Sequence, residues 1–557
     1  MKKTLQTETW CILVCLALGA SQAWILRYSM ISDGISYLDI GDAYLRGDWK
    51  AAVNALWSPM YSWLLGPALY ILKPSIWWEF PVVHLVNLII YAGALFSFRF
   101  FLRSILRSLE ERSSSSDDSM SLPATALLIL GYALFLWGSL VLINLGRVTP
   151  DLFAGALIFL IAGYLVGLDS RPSYVKFALF GALCGAAYLT RTMMFPVGIG
   201  FLAILALSRK RWKVSAPGVL LSVAAFLMVC SPFIVILSKA KGRFTFGDAG
   251  SLNYASLVGS GAPLIHWQGE PPGSGTPLHT TRKLMDDPPV FEFAGPVPGT
   301  YPPWYDPSYW NEGMRWSFHL RTQLRVLMFS AVDYARMMLR ESGLLAGMLV
   351  FLWLGGKNAR RAIAANWPLL AIAGLSLVAY SLVHVIDRYI GASMVLLFVT
   401  TFAAIRLPKD PRSETLSKYL AVAIALSILL GVAWCVGENA YSTLAVGADP
   451  PAKDQVRAAV ELQTLGLHAG DKVAVIGYGY LDHWARLGRF RIVAEAAAPG
   501  FSAPEFWASS PERRNRAYEC LRGTGAKAVI AWDPPHSVLD TRWKKVSSTN
   551  YYAYFLN

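Results

Sequence analysis

Long apolar stretches, separated by short polar loops, dominate the chain from its beginning to about residue 436. Their lengths match the roughly 20 residues that an α-helix needs to cross the hydrocarbon core of a bilayer. The pattern therefore predicts a multi-pass α-helical membrane protein with about eleven transmembrane helices. The predicted spans cover residues 10–29, 80–98, 122–143, 152–168, 177–190, 193–208, 217–238, 343–356, 366–383, 390–406 and 419–436.

The basic residues between these stretches predict the orientation of the chain. They concentrate near residues 99–112, 171–176, 209–213, 357–361 and 409–418. Short loops rich in lysine and arginine face the cytoplasm, so the amino terminus is predicted to be cytoplasmic and the carboxyl terminus exterior. This parity leaves one apolar stretch that does not span. We assign that role to Trp57–Leu72, which contains Pro59 and Pro67 and is predicted to be interfacial or re-entrant.

Composition and charge agree with a membrane location. Of the 557 residues, 55% are hydrophobic and only 15% are charged, which is typical of integral membrane proteins. The formal net charge of +14 lies mainly in the predicted cytoplasmic loops, so it reports topology and does not indicate a nucleic-acid partner. The sequence predicts a protein of the inner or plasma membrane that contacts membrane lipid.

Besides the stretch that follows the first predicted span, two long segments are predicted to lie outside the membrane. The first is an exterior loop at 239–342, whose last part, "MRWSFHLRTQLRVLMFSAVDYARMMLRES", has the pattern of an amphipathic helix on the outer surface. The second is the tail, whose alternating helical and strand patterns predict a small α/β domain with a partly parallel sheet. The predicted domains are 1–436, which includes the exterior loop, and 437–557. Gly477-Tyr478-Gly479 fits a tight turn, and the tail is assigned no chemistry.

The stretch "SDGISYLDIGDAYLRGDW", Ser32–Trp49, places four aspartates directly behind the first predicted span. On a helix, Asp39 and Asp42 share a polar face, so both are predicted to be ordinary solvated charges, and Asp48 is predicted to be a loop residue. Asp33 precedes this helix at the outer surface. Asp33 could cap this helix. Equally, its carboxylate could lie at the mouth of a membrane cavity and accept a proton there.

Other charged residues fall at the same predicted outer boundary: Asp151, Arg191, Asp387 and Arg388. An arginine within an apolar region costs roughly 2.5–3.5 kcal/mol on insertion scales, so a carboxylate partner or an anion is expected. A single arginine can instead extend its side chain to the interface. Several carboxylates and arginines at one boundary favour acid–base chemistry on an anionic, lipid-borne substrate.

This arrangement resembles the GT-C superfamily of polyprenyl-phosphate-sugar glycosyltransferases, which includes protein O-mannosyltransferases and lipid A aminoarabinose transferases. "SDGISYLDIGDAYLRGDW" followed by "WSPMYSWLLGPAL" is similar to the acidic residue and juxtamembrane helix that follow the first span in that family. The resemblance implies that Asp33 is the catalytic acidic residue. "VTPDLFAGAL" resembles the second acidic segment of the family and implies a catalytic role for Asp151.

Two further segments carry the resemblance over roughly residues 10–436. "GAAYLTRTMMFPVGIGFLAIL" resembles the paired short spans of the family, and "DRYIGASMVL" resembles a late boundary that implies a place for Arg388 near the lipid phosphate. The chain departs from the family at two positions. Gly34 stands where many members have a second acid, and the proline that follows the Arg-Tyr pair in the family is absent after Tyr389.

Together these observations predict an inverting membrane glycosyltransferase that uses a polyprenyl-phosphate sugar donor on the outer face of the membrane. The predicted catalytic residues are Asp33 and Asp151, and the predicted phosphate-binding residues are Arg191, Arg388, Lys241 and Arg243. Candidate contacts for the sugar or acceptor are Tyr37, Trp304, Tyr305, Asp306, His384 and Asp387. The acceptor is a glycan, a lipid or a protein. No cofactor is expected, and a divalent metal is not required because the phosphate is a fair leaving group.

Two alternatives belong to other functional classes. A transporter or flippase for lipid-linked glycans would keep its ionisable residues near the bilayer midplane and show paired repeats. Here the charges lie at the outer boundary, which favours the enzyme. A non-catalytic envelope assembly protein, whose exterior tail binds partners, is the second alternative.

Overall fold

The structure is a computed structural model. It describes residues 2–112, 119–170, 173–209, 212–445, 451–496 and 503–556. A flexible cytoplasmic linker predicted at 113–118 lies outside these described residues.

The part of the chain before the exterior loop is almost entirely helical. Its elements are α1 (Lys2–Ile25), α2 (Ser32–Leu45), α3 (Trp49–Ala52), α4 (Pro59–Leu72), α5 (Ile76–Arg112), strand β1 (Ser119–Ser121), α6 (Ala124–Leu136), α7 (Asp151–Ser170), α8 (Tyr174–Thr190), α9 (Met194–Leu207) and α10 (Trp212–Lys241). A π-helical turn, Trp137–Ile143, continues α6.

Glycine allows helix backbones in this part to approach closely. In α8, Gly181 and Gly185 form a Gly-x-x-x-Gly pattern, and a Cβ atom added at Gly181 would lie 1.9 Å from the carbonyl oxygen of Ser222 in α10. Small residues at such spacing are a common basis of helix association in membranes. The juxtamembrane helix α2 crosses α4 in the same way, since a Cβ atom on Gly66 would lie 2.9 Å from the carbonyl oxygen of Gly41. The predicted interfacial segment Trp57–Leu72 is thus a helix packed on α2.

The exterior loop contains short elements and one long helix. They are α11 (Ala249–Tyr254), which continues as a π-helical turn (Ala255–Gly259), strands β2 (Arg282–Asp286) and β3 (Pro289–Glu292), and helices α12 (Pro302–Tyr305), α13 (Pro307–Trp310) and α14 (Leu320–Arg340). The following membrane-part elements are α15 (Ser342–Ala365), α16 (Trp367–Ser381), α17 (Asp387–Ala404), β4 (Arg406–Pro408) and α18 (Pro411–Ala445). The axes of α14 and α15 differ by 89°, which fits an amphipathic helix lying on the surface beside a membrane span.

Each of the predicted spans overlaps one of these helices. Among the described residues, six helices are long and apolar enough to cross a membrane alone, and the bent α14–α15 pair raises this number to seven if it counts as one span. The six are α1, α5, α6 with its π-helical turn, α7, α10 and α18. Helices α8, α9 and α16 are shorter but also apolar. The predicted multi-pass helical architecture is confirmed.

The tail forms the predicted α/β domain. Its elements are α19 (Pro451–Thr464), β5 (Lys472–Ile476), α20 (Trp484–Leu487), β6 (Arg491–Ala496), α21 (Pro504–Ala508), α22 (Pro511–Gly523), β7 (Ala528–Trp532), β8 (Trp543–Lys545) and β9 (Tyr551–Phe555). In the described part of the chain, the strands form a seven-stranded sheet in the order β2-β3-β6-β5-β7-β9-β8. Strand β5 is parallel to β6 and β7, and the other pairings are antiparallel.

The sheet also contains strands from outside the tail, which the division of the chain at residue 436 did not anticipate. Strand β3 of the exterior loop pairs with β6, for example Phe291 with Glu495, and β2 extends the sheet beyond β3. Local sequence patterns gave no sign of this pairing, because β3 and β6 are separated by about 200 positions in the chain. The exterior loop is therefore held against the C-terminal domain by backbone hydrogen bonds.

Candidate active site

Asp33 lies in the first turn of α2. The residue that precedes the helix, Ile31, has extended backbone, and no side chain caps the helix there. The Asp33 carboxylate instead accepts a hydrogen bond of 2.9 Å from Nη2 of Arg388 and one of 3.3 Å from Nε1 of Trp304. Asp33 is therefore not the cap of α2, and its carboxylate is hydrogen-bonded to an arginine and a tryptophan.

Asp151 and Arg191 complete a cluster around Arg388. Asp151 is the first residue of α7 and is buried, and Arg191 follows the end of α8 in extended conformation. Arg191 donates a hydrogen bond to Oδ1 of Asp151, and Nε of Arg388 lies 3.6 Å from Oδ2. We call Asp33, Asp151, Arg191 and Arg388 the Asp–Arg cluster. Its four charges balance, and each of its side chains is less than one fifth exposed.

Aromatic rings support the two arginines of the cluster. The guanidinium of Arg191 lies 4.0 Å from the ring centroid of Tyr389 and 5.6 Å from that of Tyr380. The guanidinium of Arg388 lies 5.0 Å from the Tyr389 centroid. Such contacts stabilise a desolvated cation. The cavity among these side chains measures about 10 Å³, so an anion the size of a phosphate can enter only if the ion pairs rearrange.

Close packing explains why position 34 is a glycine. A Cβ atom added to Gly34 would lie 2.7 Å from Sδ of Met30 and 2.8 Å from Cβ of Val148. Real Cβ atoms do not approach this closely, so the close packing of α2 leaves no room for a second carboxylate directly after Asp33. This explains the departure from the resembled family at this position.

Trp304, one of the predicted aromatic contacts, donates a hydrogen bond to the cluster. In addition to its bond to Asp33, its carbonyl oxygen accepts hydrogen bonds from Oγ of Ser36, at 2.9 Å, and from Nε1 of Trp57, at 3.1 Å. Tyr37 is buried beside it, and its ring meets Trp57 edge-on at a centroid distance of 5.3 Å. The exterior loop thus contributes one wall of the site.

The other predicted sugar or acceptor contacts lie in different surroundings. Tyr305 is buried and donates a hydrogen bond to the carbonyl oxygen of Ala51. Asp306 caps α13 by accepting from the amide of Tyr309. His384 is exposed between α16 and α17, and Asp387 lies 3.9 Å from Arg340. For Tyr305 and Asp306 these contacts give a structural role that requires no ligand.

Two of the predicted phosphate-binding residues belong to a separate group of charges. Arg243 donates hydrogen bonds of 2.7 and 2.8 Å to the carboxylate of Asp248. Nζ of Lys241 lies 3.9 Å from the same carboxylate and donates to the carbonyl oxygen of Ser308. The structure therefore brings Arg191 and Arg388 to the two aspartates but places Lys241 and Arg243 around Asp248.

The prediction that Asp39 and Asp42 are solvated is wrong. Asp39 is buried, and the guanidinium of Arg486 donates to it at 2.7 Å and to Asp42 at 2.6 Å. Arg486 also donates to Glu79 at 2.9 Å. The polar face of α2 is thus covered by the C-terminal domain. Helical periodicity identified that face correctly but could not distinguish water from a partner 447 positions away.

Asp48 and the tail both make contacts that the sequence did not predict. Asp48 lies in the loop between α2 and α3, as predicted, and its carboxylate also caps α3 by accepting from the amide of Ala51 at 3.1 Å. The tail, to which no chemistry was assigned, supplies Arg486 and Arg489, both of which pair with Glu79. A cavity of about 190 Å³ lies beside these arginines and is also lined by Asp39 and Asp42.

No metal site is defined by the described part of the chain. There, no group of three or more His, Cys, Asp or Glu side chains is placed to hold a metal ion. The expectation that the reaction needs no metal stays a prediction.

Solved structures share this fold. Crystal structures of ArnT from Cupriavidus metallidurans superpose with a TM-score of 0.56 in the apo state, at 11% identity, and 0.54 with bound undecaprenyl phosphate, at 10% identity. Each alignment covers 98% of this chain and 98% of ArnT. The archaeal oligosaccharyltransferase AglB from Archaeoglobus fulgidus, in complex with an inhibitory peptide and a dolichol-phosphate, superposes with a TM-score of 0.50 at 11% identity. That alignment covers 94% of this chain and 69% of AglB.

Comparison of sequences alone finds no relative. No protein-family model matches the chain, and no curated protein matches it. At 10–11% identity the structural likeness establishes the fold, over nearly the full length of ArnT. ArnT, a lipid A aminoarabinose transferase, and AglB are both members of the GT-C superfamily. The chain is an integral membrane protein with the GT-C fold, and the resemblance to that superfamily is confirmed at the level of the fold.

Proposed function

We propose that this protein is a membrane glycosyltransferase that transfers a sugar from a polyprenyl-phosphate donor to an acceptor on the outer face of the membrane. One observation carries the proposal. Asp33, Asp151, Arg191 and Arg388 come from four separate helix ends and meet in a single cluster beside the exterior loop. Carboxylates and arginines at such a boundary suit a substrate that carries both a lipid phosphate and a reactive sugar.

The arginines are proposed to bind the donor phosphate. Guanidinium groups bind phosphate through paired, charge-assisted hydrogen bonds. Arg388 lies in the first turn of α17 and Arg191 directly after α8; we propose that these helix ends face the outer leaflet, where the phosphate of a membrane lipid would lie. A solved structure of the same fold, that of ArnT, contains undecaprenyl phosphate. Lys241 and Arg243 remain candidates for a secondary role, since both are paired with Asp248.

Asp33 is proposed to act as the general base. The acceptor hydroxyl transfers its proton to the Asp33 carboxylate as its oxygen attacks the anomeric carbon opposite the phosphate. A new glycosidic C–O bond forms, the C–O bond to phosphate breaks, and polyprenyl phosphate leaves with both electrons of that bond. Because attack and departure occur on opposite faces, the anomeric configuration inverts. General-base assistance of this kind contributes typically about 10²–10⁴-fold.

Asp151 is proposed to support this chemistry by holding the arginines. It is buried, hydrogen-bonded to Arg191 and 3.6 Å from Arg388. Its Oδ2 has no hydrogen-bond partner among the described residues, which leaves it free to accept from Arg388 when that side chain turns toward a bound phosphate. We propose further that the protein lies in the inner membrane and that its C-terminal domain is exterior. The proposed acceptor is a glycan, a lipid or a protein.

The experiment that tests the function measures donor binding and donor consumption separately. The purified protein in lipid nanodiscs is titrated with undecaprenyl phosphate, and its co-purified lipids are identified by mass spectrometry. It is then incubated with a lipid extract of the membranes of the cells that express it, and release of polyprenyl phosphate is measured. We expect saturable binding and release that requires Asp33. Binding without release, together with movement of the lipid across proteoliposomes, would establish the flippase, and no binding at all would favour the assembly protein.

A further inference from the structure

A segment of the C-terminal domain lies directly against the Asp–Arg cluster. Oγ of Ser32, the residue before Asp33, donates a hydrogen bond of 2.6 Å to the carbonyl oxygen of Tyr480. The ring of Tyr480 meets the ring of Trp304 edge-on, with a centroid distance of 5.4 Å and an interplanar angle of 72°. Trp304 in turn donates to Asp33. Two aromatic rings from different parts of the chain therefore stand beside the candidate base.

Tyr480 is held there by contacts at both ends of its segment. Ser32 fixes its backbone at the start of α2. Further along α2, Arg486 binds Asp39 and Asp42. Arg486 is only 3% exposed, so this second attachment is shielded from water and salt. The segment thus follows α2 for about two helical turns, and these contacts fix the backbone of Tyr480 beside Trp304.

The position of Asp33 gives the two sides of the site different roles. On one side Arg388, from membrane helix α17, binds Oδ2 of Asp33. On the other side Trp304, from the exterior loop, binds Oδ1. If the arginines bind the lipid phosphate, the acceptor must reach Asp33 from the side of Trp304 and Tyr480. Both rings are only partly buried, and the charge of Asp33 adds to burial in raising the pKa of the Tyr480 hydroxyl.

We propose that Tyr480 is an acceptor-binding residue, and that Tyr480 and Trp304 form an aromatic wall that binds a sugar ring of a glycan-bearing acceptor. This inference rests on the proposed function and adds to it the class of acceptor and the contribution of the C-terminal domain. Partly buried aromatic faces next to a few fixed polar groups are the usual composition of a small-molecule site. The edge-on geometry leaves ring faces available for stacking.

The test separates acceptor binding from donor binding in full-length protein. Release of polyprenyl phosphate is measured while the glycolipid fraction of the producing membrane is titrated, and octyl β-glucoside is added as a competing sugar ligand. We compare the wild type with Tyr480→Ala, Tyr480→Phe and the matched control Tyr478→Ala, which removes a ring from the same segment beside Glu495. Affinity for undecaprenyl phosphate is measured for all four proteins.

For Tyr480→Ala we expect the half-saturating glycolipid concentration and the octyl glucoside inhibition constant to rise roughly 2- to 10-fold, the range of an aromatic contact. Affinity for undecaprenyl phosphate should not change. Tyr480→Phe and Tyr478→Ala should behave as wild type, because ring stacking needs no hydroxyl. Unchanged constants in Tyr480→Ala, an equal loss of lipid affinity, or no competition by octyl glucoside in the wild type would overturn the inference. A wild type that binds no undecaprenyl phosphate would instead contradict the proposed function.

Discussion

Arg388 donates a hydrogen bond of 2.9 Å to Asp33, although 355 positions separate the two residues in the chain. The same guanidinium lies 3.6 Å from Asp151, so it is shared between two carboxylates. In the proposed reaction a donor phosphate competes with Asp33 for Arg388. Binding of the donor then draws Arg388 toward the phosphate and frees the Asp33 carboxylate to contact the acceptor hydroxyl.

Replacing Asp33 tests the base. Asp33→Asn keeps the size of the side chain but cannot accept a proton, so we expect turnover to fall by about 10²- to 10⁴-fold while undecaprenyl phosphate still binds. Asp333→Asn is the matched control, because Asp333 lies on helix α14 and pairs with the exposed Arg336 at 3.3 Å. It should retain wild-type turnover, measured as release of polyprenyl phosphate. Near-normal turnover in Asp33→Asn would remove Asp33 from the role of base.

Replacing Arg388 tests the phosphate site. Loss of a charge-assisted hydrogen bond costs roughly 1.5–3 kcal/mol, which corresponds to an affinity about 10- to 150-fold lower for undecaprenyl phosphate in Arg388→Gln. Arg388→Lys should recover only part of the loss, since an ammonium lacks the forked geometry of guanidinium. Arg340→Gln, at an exposed position, is the control and should bind normally. If Arg388→Gln binds undecaprenyl phosphate with wild-type affinity in the same titration, Arg388 pairs with Asp33 and Asp151 but does not bind the donor phosphate.

Replacing Arg486 tests the junction between α2 and the C-terminal domain. Arg486→Gln leaves Asp39 and Glu79 buried without their main counter-charge, and breaking a buried ion pair costs roughly 3–5 kcal/mol. We expect a clearly lower melting temperature in nanodiscs and faster proteolytic release of the tail. Arg513→Gln, which removes an exposed ion pair with Asp287, should cost no more than about 1 kcal/mol. Equal stability of the two variants would show that the junction does not hold the domain.

Replacing Gly34 tests the packing around Asp33. An alanine there would force Met30 and Val148 to move, and overpacking of this kind costs typically about 1–3 kcal/mol. Gly34→Ala should therefore lower both the melting temperature and turnover, since Asp33 is the preceding residue. Gly93→Ala, in α5, meets no atom within 4 Å and should be neutral or slightly stabilising. A Gly34→Ala protein with normal stability and turnover would contradict the steric explanation.

Two neighbouring buried groups predict opposite pH responses. Burial raises the pKa of Asp482 to about 7 and lowers the pKa of His483 to about 4. Between pH 4 and 7 the folded state keeps the Asp482 proton that the unfolded state loses, so this group lowers stability as pH rises. Between pH 4 and 6.5 the unfolded state binds the His483 proton that the folded state excludes, so this group raises stability. In the wild type the two largely cancel.

Single replacements should reveal each response. Asp482→Asn should become more stable as pH rises from 4 to 6.5, and His483→Gln should become less stable from 4 to 7. Each slope should be on the order of 1.4 kcal/mol per pH unit, the value for one proton. Thermal unfolding across this range, with the wild type as reference, measures both slopes. The same flat profile in all three proteins would mean that neither group is perturbed in the folded state.

Local patterns in the sequence were sufficient to predict several features of this protein. Apolar stretches of membrane-spanning length located the helices, because hydrophobicity is a property of each segment. Alternating patterns located strands β5, β6, β7 and β9 of the tail. The residue types at the outer boundary also identified Asp33, Asp151, Arg191 and Arg388, since charges next to a bilayer are costly and therefore conspicuous.

Which of these residues contact one another became clear from the folded chain and not from the sequence. Asp39 and Asp42 looked solvated because the polar face of a helix is the same whether it faces water or Arg486 from another domain. The exterior loop gave no sign that it joins the sheet through β3, and nothing near Tyr480 indicated its contact with Trp304. Ion pairs, strand pairing and ring contacts form between surfaces that folding brings together, so the sequence around one partner does not identify the other.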